Sequence, residues 1–152
     1  MELVLPTATE YALRAMACLA AAEPAVWVPS RDLVAQTHVP AAYLSKVLRR
    51  LVTAGLLEAT RGHHGGFRLA RPPSEVRFAD VLRAMDDTEG PQRCQFGFAA
   101  CSKTDPCPLH PFFVDLDRRM RAWAEEATLA DVDCASYLAA PPDRALAPPR
   151  IR

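Results

Sequence analysis

Three of the chain's five cysteines lie within one short stretch, at Cys94, Cys101 and Cys107, in the spacing C-x6-C-x5-C, and His110 follows three residues later. One glycine and two prolines interrupt this stretch, so we expect a loop there rather than a regular helix. The sequence on each side has helical periodicity. A loop that gathers thiolates between two rigid helices is suited to holding a soft metal centre. We therefore expect this loop to act as a sensor and the rest of the chain to respond to the state of its metal centre.

Composition places the chain among ordinary globular proteins. With 152 residues, half of them hydrophobic, it can form one domain, or a small domain with an oligomerisation element. No window contains the ~18 consecutive apolar residues that a membrane span requires, and the N-terminus lacks a signal peptide. We therefore expect a cytoplasmic protein without membrane association. Reducing cytosol disfavours structural disulfides, so grouped thiols there more often bind a metal or sense redox state.

Three helices are predicted in the first half of the chain. The first covers 7–22, the second runs from its N-cap Ser30 to about Thr37, and the third runs from about Ala41 to Ala54. The third helix has an apolar stripe at helical spacing, formed by Leu44, Val47, Leu48 and Leu51. Two helices joined by a three-residue turn, the second with a basic outer face, form a helix-turn-helix, whose second helix enters the major groove.

A basic hairpin follows the third helix. Two predicted strands, 56–60 and 66–70, flank its tip and make the arrangement of a wing. The residues predicted to contact DNA are Tyr43, Ser45, Lys46, Arg49 and Arg50 on the third helix, and Arg61, His63 and His64 on the wing. Residues 31–71 hold seven basic and two acidic side chains, whereas 72–152 hold ten basic and thirteen acidic ones. A basic face alone is equally consistent with a solvated surface, but together with the turn and the wing it favours binding of double-stranded DNA.

Two more helices are predicted on either side of the cysteine loop, at 77–86 and 111–127. Apolar residues recur along the longer one at steps close to a heptad seam, at Leu109, Phe112, Leu116, Met120, Trp123 and Ala127, and Phe113 widens the face. A seam this long exceeds what the small winged domain can cover. We therefore expect it to pair with a second subunit in a twofold homodimer, the alternative being an intrachain core.

The predicted fold class is mainly α with a small β wing. We divide the chain into a winged helix-turn-helix domain over 1–73, a region over 74–139 and a tail over 140–152. The middle region contains the fourth helix, the cysteine loop, the dimerisation helix and a short helix that begins at Thr128 as N-cap. The tail is rich in proline, and we expect it to be disordered.

The cysteine loop supplies three thiolates, and the fourth metal ligand is open. Iron–sulfur clusters are held mainly by cysteine, although histidine can replace it. His110 and Glu10 are the two candidates, and Glu10 also has capping-box spacing from Thr7, which would explain it without a metal. Zinc is an alternative metal, although structural zinc sites favour shorter gaps between paired ligands than the six and five residues found here. A metal-free disulfide switch is another alternative. Cys18 and Cys134 are expected to be ordinary core or surface residues.

The residues resemble those of the IscR/NsrR-type bacterial transcription regulators, the Rrf2 family. The matching segments are Tyr11-Ala-Leu-Arg-Ala-Met, Tyr43-Leu-Ser-Lys-Val-Leu-Arg-Arg-Leu, Gly55-Leu-Leu, the wing Arg61-Gly-His-His-Gly-Gly-Phe-Arg-Leu-Ala, 81–86, the three cysteines with Cys107-Pro-Leu-His, and Thr128-Leu-Ala-Asp. Together they cover residues 7 to about 133. The wing and the cysteine loop, in this order, carry the resemblance.

The resemblance implies a dimeric winged-helix repressor or dual regulator with an iron–sulfur cluster, either 2Fe-2S or 4Fe-4S. Clusters in this family respond to nitric oxide, oxygen, redox state or iron–sulfur supply, and their state sets affinity for a near-palindromic operator. One branch has a histidine ligand that falls on His110, and another has an acidic ligand from the first helix that falls on Glu10. The first gap between cysteines is six residues here, where those branches more often have five, so the cluster type stays open.

A DNA-binding regulator has two alternatives, a protein-interaction module and an enzyme. Winged-helix domains also serve as protein-interaction modules, so a structural adaptor is the second hypothesis. An enzyme is not expected, because the sequence has no nucleophile–base arrangement, and His63 and His64 fall in a basic hairpin rather than a pocket.

Overall fold

The computed structural model describes residues 5–85, 94, 101 and 104–132. Its helices are α1 Thr7–Ala21, α2 Ser30–Thr37, α3 Ala41–Thr53, α4 Phe78–Met85 and α5 His110–Glu126, its strands are β1 Leu57–Thr60 and β2 Gly66–Leu69, and short 3-10 turns cover Pro73–Glu75 and Leu129–Asp131. The two strands form one antiparallel sheet. The predicted class, mainly α with a small β wing, is confirmed. The predicted tail and Cys134 lie outside the described residues.

The turn between α2 and α3 has the three residues predicted. His38 adopts the left-handed conformation, with φ 55°, and its backbone N–H donates to the carbonyl of Val34. That conformation is uncommon for a residue other than glycine, although histidine is among the residues enriched in it. α3 then begins after Pro40, whose carbonyl accepts the amides of Tyr43 and Leu44 as the first hydrogen bonds of the helix. The two helices are thereby joined by a tight, hydrogen-bonded corner.

The apolar stripe of α3 forms the centre of the core, as its spacing predicted. All four stripe residues, Leu44, Val47, Leu48 and Leu51, are buried. They pack with Met16 of α1 and Leu33 of α2, which are fully buried. The same core includes Val76, Val81 and Leu129, which come after the predicted domain end at residue 73.

Prolines occupy the N-cap positions of the first three helices, and none of these helices has a side-chain cap. The predicted capping box of Thr7 and Glu10 is wrong: Thr7 is already inside α1, and no side chain caps its start. Pro6 occupies the cap position instead, and its carbonyl accepts the amides of Thr9 and Glu10. Ser30 is likewise the first residue of α2 rather than its N-cap. The predicted cap at Thr128 does form.

The wing is attached to the segment between α1 and α2. Val28 and Phe67 exchange backbone hydrogen bonds of 2.9 Å in each direction. Gly66 permits this contact, since a Cβ there would lie 2.3 Å from the Val28 carbonyl oxygen. Arg68 stacks on Trp27, with its guanidinium carbon 4.3 Å from the ring centroid. These contacts fix the base of the hairpin while its tip extends into solvent.

The start of α4 and the end of α5 are pinned together. An isolated antiparallel bridge joins Arg77 to Thr128, and the rings of Phe78 and Trp123 lie 5.0 Å apart. At 1.5 Å per residue, the 17 residues of α5 span about 25 Å and the eight of α4 about 12 Å. The first half of α5 therefore extends past the end of α4, and the cysteine loop joins these two unequal ends.

Candidate metal centre and nucleic-acid interface

The three predicted metal-binding thiols converge within the cysteine loop. The Sγ atoms of Cys94, Cys101 and Cys107 all lie within 4.8 Å of one another, and each residue is half-buried. The Sγ atoms of Cys94 and Cys107 are 3.9 Å apart. They belong to no helix or strand, so the loop itself brings them together.

His110 approaches this group from the first position of α5. Its Nδ1 atom lies 3.4 Å from the Sγ of Cys101. The backbone N–H of His110 also donates to the carbonyl of Cys107, at 2.9 Å. Because α5 starts at this residue, the helix fixes the distance between the imidazole and the loop. One of the two candidates for the fourth ligand thus lies beside the Cys101 thiol of the same chain.

Glu10, the other candidate, is engaged elsewhere in this subunit. It lies on α1 and forms an i,i+4 ion pair with Arg14, and both side chains are partly exposed. Arg14 also donates to the carbonyl of Thr37, at 3.5 Å. Among the described residues, the group of converging ligand atoms comprises the three cysteines alone: Glu10 is outside it, and so is His110, which reaches only the Cys101 sulfur.

The electrostatics of the loop favour the protonated form of the Cys101 thiol, whose pKa is raised. The backbone N–H of Cys107 donates to the Sγ of Cys101, which acts to lower the pKa of that thiol. Lost solvation and the neighbouring thiols of Cys107 and Cys94 outweigh this, so the pKa of Cys101 is raised above its ordinary value. A bound cation would reverse the balance, since metal binding requires thiolates and releases their protons.

The donor set fits a soft metal. Metal–sulfur bonds of about 2.3 Å place the sulfurs of one tetrahedral site about 3.8 Å apart. The 3.9 Å between the Cys94 and Cys107 sulfurs is close to that spacing. Three sulfurs and one imidazole nitrogen, half-buried in a loop, are suitable ligands for zinc or for iron in a cluster.

Cys18 lies apart from this group, in the core of the helical domain. Its thiol is buried and donates to Oε1 of Gln36, at 2.8 Å. Burial raises the pKa of the Cys18 thiol to about 11. A thiol that stays protonated is a poor metal ligand and a poor nucleophile, which agrees with the prediction of an ordinary core residue.

The outer face of α3 is exposed, opposite the buried stripe. Ser45, Lys46 and Arg49 are open to solvent, and the Ser45 hydroxyl donates to the carbonyl of Ala41. Tyr43 is 59% exposed, and its ring packs edge-on against Tyr11 at 6.2 Å. The wing residues Arg61, His63 and His64 are also exposed. Seven of the eight predicted DNA contacts therefore lie on open surface of the helix or the wing.

Arg50 differs from the other predicted contacts. It is half-buried, and its Nε donates to the carbonyl of Ala84 on α4, at 3.2 Å. Periodicity could not reveal this bond, because the two residues are 34 positions apart and a basic residue beside the stripe resembles its exposed neighbours.

One face of α5 is apolar and uncovered. Only Ala124 of this helix is buried. Phe112 and Trp123 lie on this face and are 56% and 46% exposed, and Leu109 just before the helix is 41% exposed. Val114, which is 52% exposed, lies on another side of the helix. Sequence reasoning included all of these except Val114, which lies off the heptad steps.

Within the described part of the chain, no helix is long and apolar enough to cross a membrane.

Comparison with known proteins identifies the family. The family profile for Rrf2, described as an iron-dependent transcriptional regulator, matches residues 5–134. An HTH-type transcriptional regulator of Mycobacterium tuberculosis is 39% identical over 124 residues, which is 81% of this chain and 76% of that protein. The HTH-type transcriptional regulator IscR of Escherichia coli is 30% identical over 122 residues, or 80% and 75% of the two chains.

Solved structures share the fold. IscR of T. potens superposes with a TM-score of 0.68 at 24% identity, covering 86% of each chain. CymR, the global cysteine regulator of B. subtilis, gives the same TM-score at 22% identity and covers 90% of this chain and 98% of its own. These relatives are transcriptional regulators rather than enzymes. A basic helix-turn-helix with a wing, a cysteine loop and the match over most of the sequence lead to one conclusion: the chain belongs to the Rrf2 family of DNA-binding transcriptional regulators.

Proposed function

We propose that this regulator is a homodimeric repressor whose affinity for its operator is set by an iron–sulfur cluster held in the cysteine loop. The observation that carries the proposal is the convergence of the Cys94, Cys101 and Cys107 thiols between α4 and α5. The name IscR of two relatives and the iron-dependent description of the family support the choice of metal. We place the protein in the cytoplasm, where thiols remain reduced.

The cysteines and His110 would hold the cluster, with Glu10 as the alternative fourth ligand. When bound, the cluster supplies a centre that responds to redox state, nitric oxide or iron–sulfur supply. The chain's contribution is positional: the start of α5 holds the His110 imidazole beside Cys101, and the Cys107 amide orients the Cys101 sulfur. Ligation would then fix the loop that joins α4 to α5.

DNA recognition would use the open face of α3 and the wing. Tyr43, Ser45, Lys46 and Arg49 would enter the major groove, and the wing residues Arg61, His63 and His64 would follow the backbone. Phosphate contacts position the protein, whereas base-edge contacts select the sequence. A twofold dimer places two such helices on half-sites about one helical turn apart, so their spacing must be held closely. Any change in that spacing changes affinity.

The uncovered apolar face of α5 supports the dimer. Leaving Phe112 and Trp123 half exposed costs free energy that a second subunit can recover by covering them, at about 25 cal/mol for each Å² buried. A self-complementary helix face is the usual basis of a twofold interface.

A thiol-based or zinc-dependent regulator is the second candidate. The 3.9 Å between the sulfurs of Cys94 and Cys107 suits one metal ion, or a disulfide after a small movement. Thiolates that bind different irons of one cluster lie further apart, because the iron–sulfide core separates them. The short distance between these two sulfurs favours a single metal ion or a disulfide, whereas the family description favours iron.

Metal analysis distinguishes the candidates. Protein purified without oxygen is expected to contain iron and acid-labile sulfide, with cluster absorption and Mössbauer spectra. His110→Ala is expected to change those spectra and Glu10→Ala to leave them unchanged if histidine is the fourth ligand, and the reverse if the acid is. Stoichiometric zinc without sulfide would replace the proposal with the zinc candidate. Metal-free protein with a reversible disulfide would replace it with the thiol switch.

A further inference from the structure

The recognition helix is tied directly to the helix that leads into the cysteine loop. The Arg50 Nε donates to the carbonyl oxygen of Ala84, at 3.2 Å, across 34 positions of sequence. Ala84 is the residue before the last of α4, which ends at Met85. The stretch that contains the cysteines begins nine residues further on, at Cys94. The bond therefore joins α3 to the point where the chain leaves for the loop.

Helix chemistry explains why an arginine is effective there. The last four carbonyls of an α-helix have no partner within the helix, and the helix dipole places partial negative charge at that end. A guanidinium satisfies such a carbonyl with a charge-assisted hydrogen bond, which is stronger than a neutral one. Ala84 lies in the last described turn of α4, so the Arg50 guanidinium adds a hydrogen bond to that turn.

The opposite end of α4 is held just as firmly. The bridge between Arg77 and Thr128 and the contact between Phe78 and Trp123 attach the start of α4 to the end of α5. Arg83 pairs with Glu125 across the same two helices. Both helices that flank the loop are thereby linked, and Arg50 extends that link to α3. A change in the loop that shifts the last turn of α4 would pull on the recognition helix.

We propose that Arg50 is a positioning residue that transmits the state of the cysteine loop to the recognition helix through the C-terminal carbonyl of α4, and is not a DNA contact. This proposal rests on the function proposed above, and it names the contact through which the cysteine loop would act on α3. It assigns Arg50 a role different from that of Lys46, which lies one helical turn earlier and is exposed. The two roles give different responses to salt and to the metal.

Arg50→Met tests the proposal, with Arg50→Lys as the conservative variant and Lys46→Gln as the matched control on α3. Methionine keeps the apolar stem of the side chain but removes the donor, and lysine keeps a donor and the charge. Operator affinity is measured by fluorescence anisotropy for the metal-loaded and metal-free protein at several salt concentrations. Amide hydrogen exchange of α4 is measured on the same samples, and iron content confirms that each variant loads equally.

In the wild type, the Kd values of the metal-free and metal-loaded forms are expected to differ by roughly 5- to 150-fold, as is typical of allosteric coupling. In Arg50→Met this ratio of Kd values is expected to fall below about twofold. Amides in the last turn of α4 should exchange faster, the salt slope should stay unchanged, and Arg50→Lys should restore most of the ratio. Lys46→Gln should weaken both forms alike and leave α4 exchange unaltered.

Three results would overturn the inference: an unaltered ratio in Arg50→Met, unaltered exchange in α4, or a salt slope reduced by about one per subunit, which is the mark of a phosphate contact. A wild-type ratio of one is a different failure. That result would be seen in the wild-type protein, and it would contradict the proposed sensing function itself, whatever the role of Arg50.

Discussion

Two regions of this molecule are stabilised in opposite ways. The head, residues 5–70, contains α1 to α3 and the wing around a dense core in which Met16, Leu44 and Leu51 are fully buried. The arm, residues 104–132 with Cys94 and Cys101, buries one residue of its long helix and exposes Phe112 and Trp123. The core of the head is completed by Val76 and Val81, which follow it, and by Leu129 of the arm. The rest of the arm leaves apolar side chains and thiols that we expect a second subunit and a metal to engage.

The largest effect is expected from loss of a metal ligand in the arm. Cys107→Ser should abolish stoichiometric metal binding, since the group contains only three thiols among the described residues. Metal analysis and the visible absorption spectrum check this. Cys18→Ala is the control, because that thiol lies in the core of the head and should leave the metal content unchanged. Equal metal loss in both variants would remove the distinction between the two regions.

Truncation of a core residue should affect the head most. Leu44→Ala should destabilise the protein by about 2–5 kcal/mol, because Leu44 is fully buried and truncation leaves a cavity. Val26→Ala is the control: Val26 is 46% exposed in a loop of the head, and its change should stay within about 0.5 kcal/mol. Urea unfolding followed by circular dichroism measures both. A cost below about 1 kcal/mol at Leu44 would mean that the head is less tightly packed than described.

The exposed face of the arm should affect assembly rather than folding. Phe112→Ser should shift the protein from dimer to monomer in sedimentation velocity, while thermal unfolding of the head stays nearly unchanged, because Phe112 is 56% exposed in the single chain. Val26→Ser, a comparable apolar deletion on the head, should leave the dimer intact. A Phe112→Ser protein that remains fully dimeric would place the subunit interface elsewhere.

A smaller, graded effect is expected on DNA binding by the head. Lys46→Gln should weaken operator binding and reduce the slope of log Kd against log salt by about one per subunit, because a phosphate contact releases condensed counterions. Lys46 is exposed on the outer face of α3, so folding should be unaffected. Titrations at four or more salt concentrations give the slope. A parallel shift without a change of slope would mean that Lys46 does not contact phosphate.

The smallest effect is expected at the end of the arm. The N–H and hydroxyl groups of Thr128 donate to the Asp131 carboxylate, and these bonds lower its pKa. A depressed pKa stabilises the fold above the unfolded value of about 3.9, and this contribution is lost as pH falls through the folded value. Asp131→Asn should therefore lower stability slightly at neutral pH and make no difference in strong acid. Urea unfolding at pH 7 and pH 2.5 tests this, and an equal difference at both values would exclude the carboxylate.

The head could be predicted largely from the sequence because its signals are local. The α3 stripe, the three-residue turn and the wing strands all follow from periodicity and turn chemistry, and the structure confirms them to within one or two residues. The helix starts were harder. Side-chain caps were expected at Thr7 and Ser30, but each helix begins one residue earlier than that requires, with proline at the N-cap position and no side-chain cap.

The arm and its connections were harder to predict because they depend on distant partners. The spacing of the cysteines indicated a shared site but not the 4.8 Å convergence or the contact between Cys101 and His110. The bond from Arg50 to Ala84 could not be inferred, since periodicity does not show which distant carbonyl a basic side chain reaches. Glu10 stays a candidate ligand on sequence grounds, although in the single chain it forms an ion pair with Arg14.

The most direct test compares operator affinity of the same preparation with and without its metal. Protein purified anaerobically is titrated against operator DNA, the metal is removed with a chelator, and the titration is repeated after its iron and sulfide have been measured. If a cluster sets operator affinity, the metal-loaded protein contains iron, and its removal changes the Kd by roughly fivefold or more, the lower limit of typical coupling. An iron-free preparation that occupies the operator with the same Kd before and after chelation would contradict this proposal.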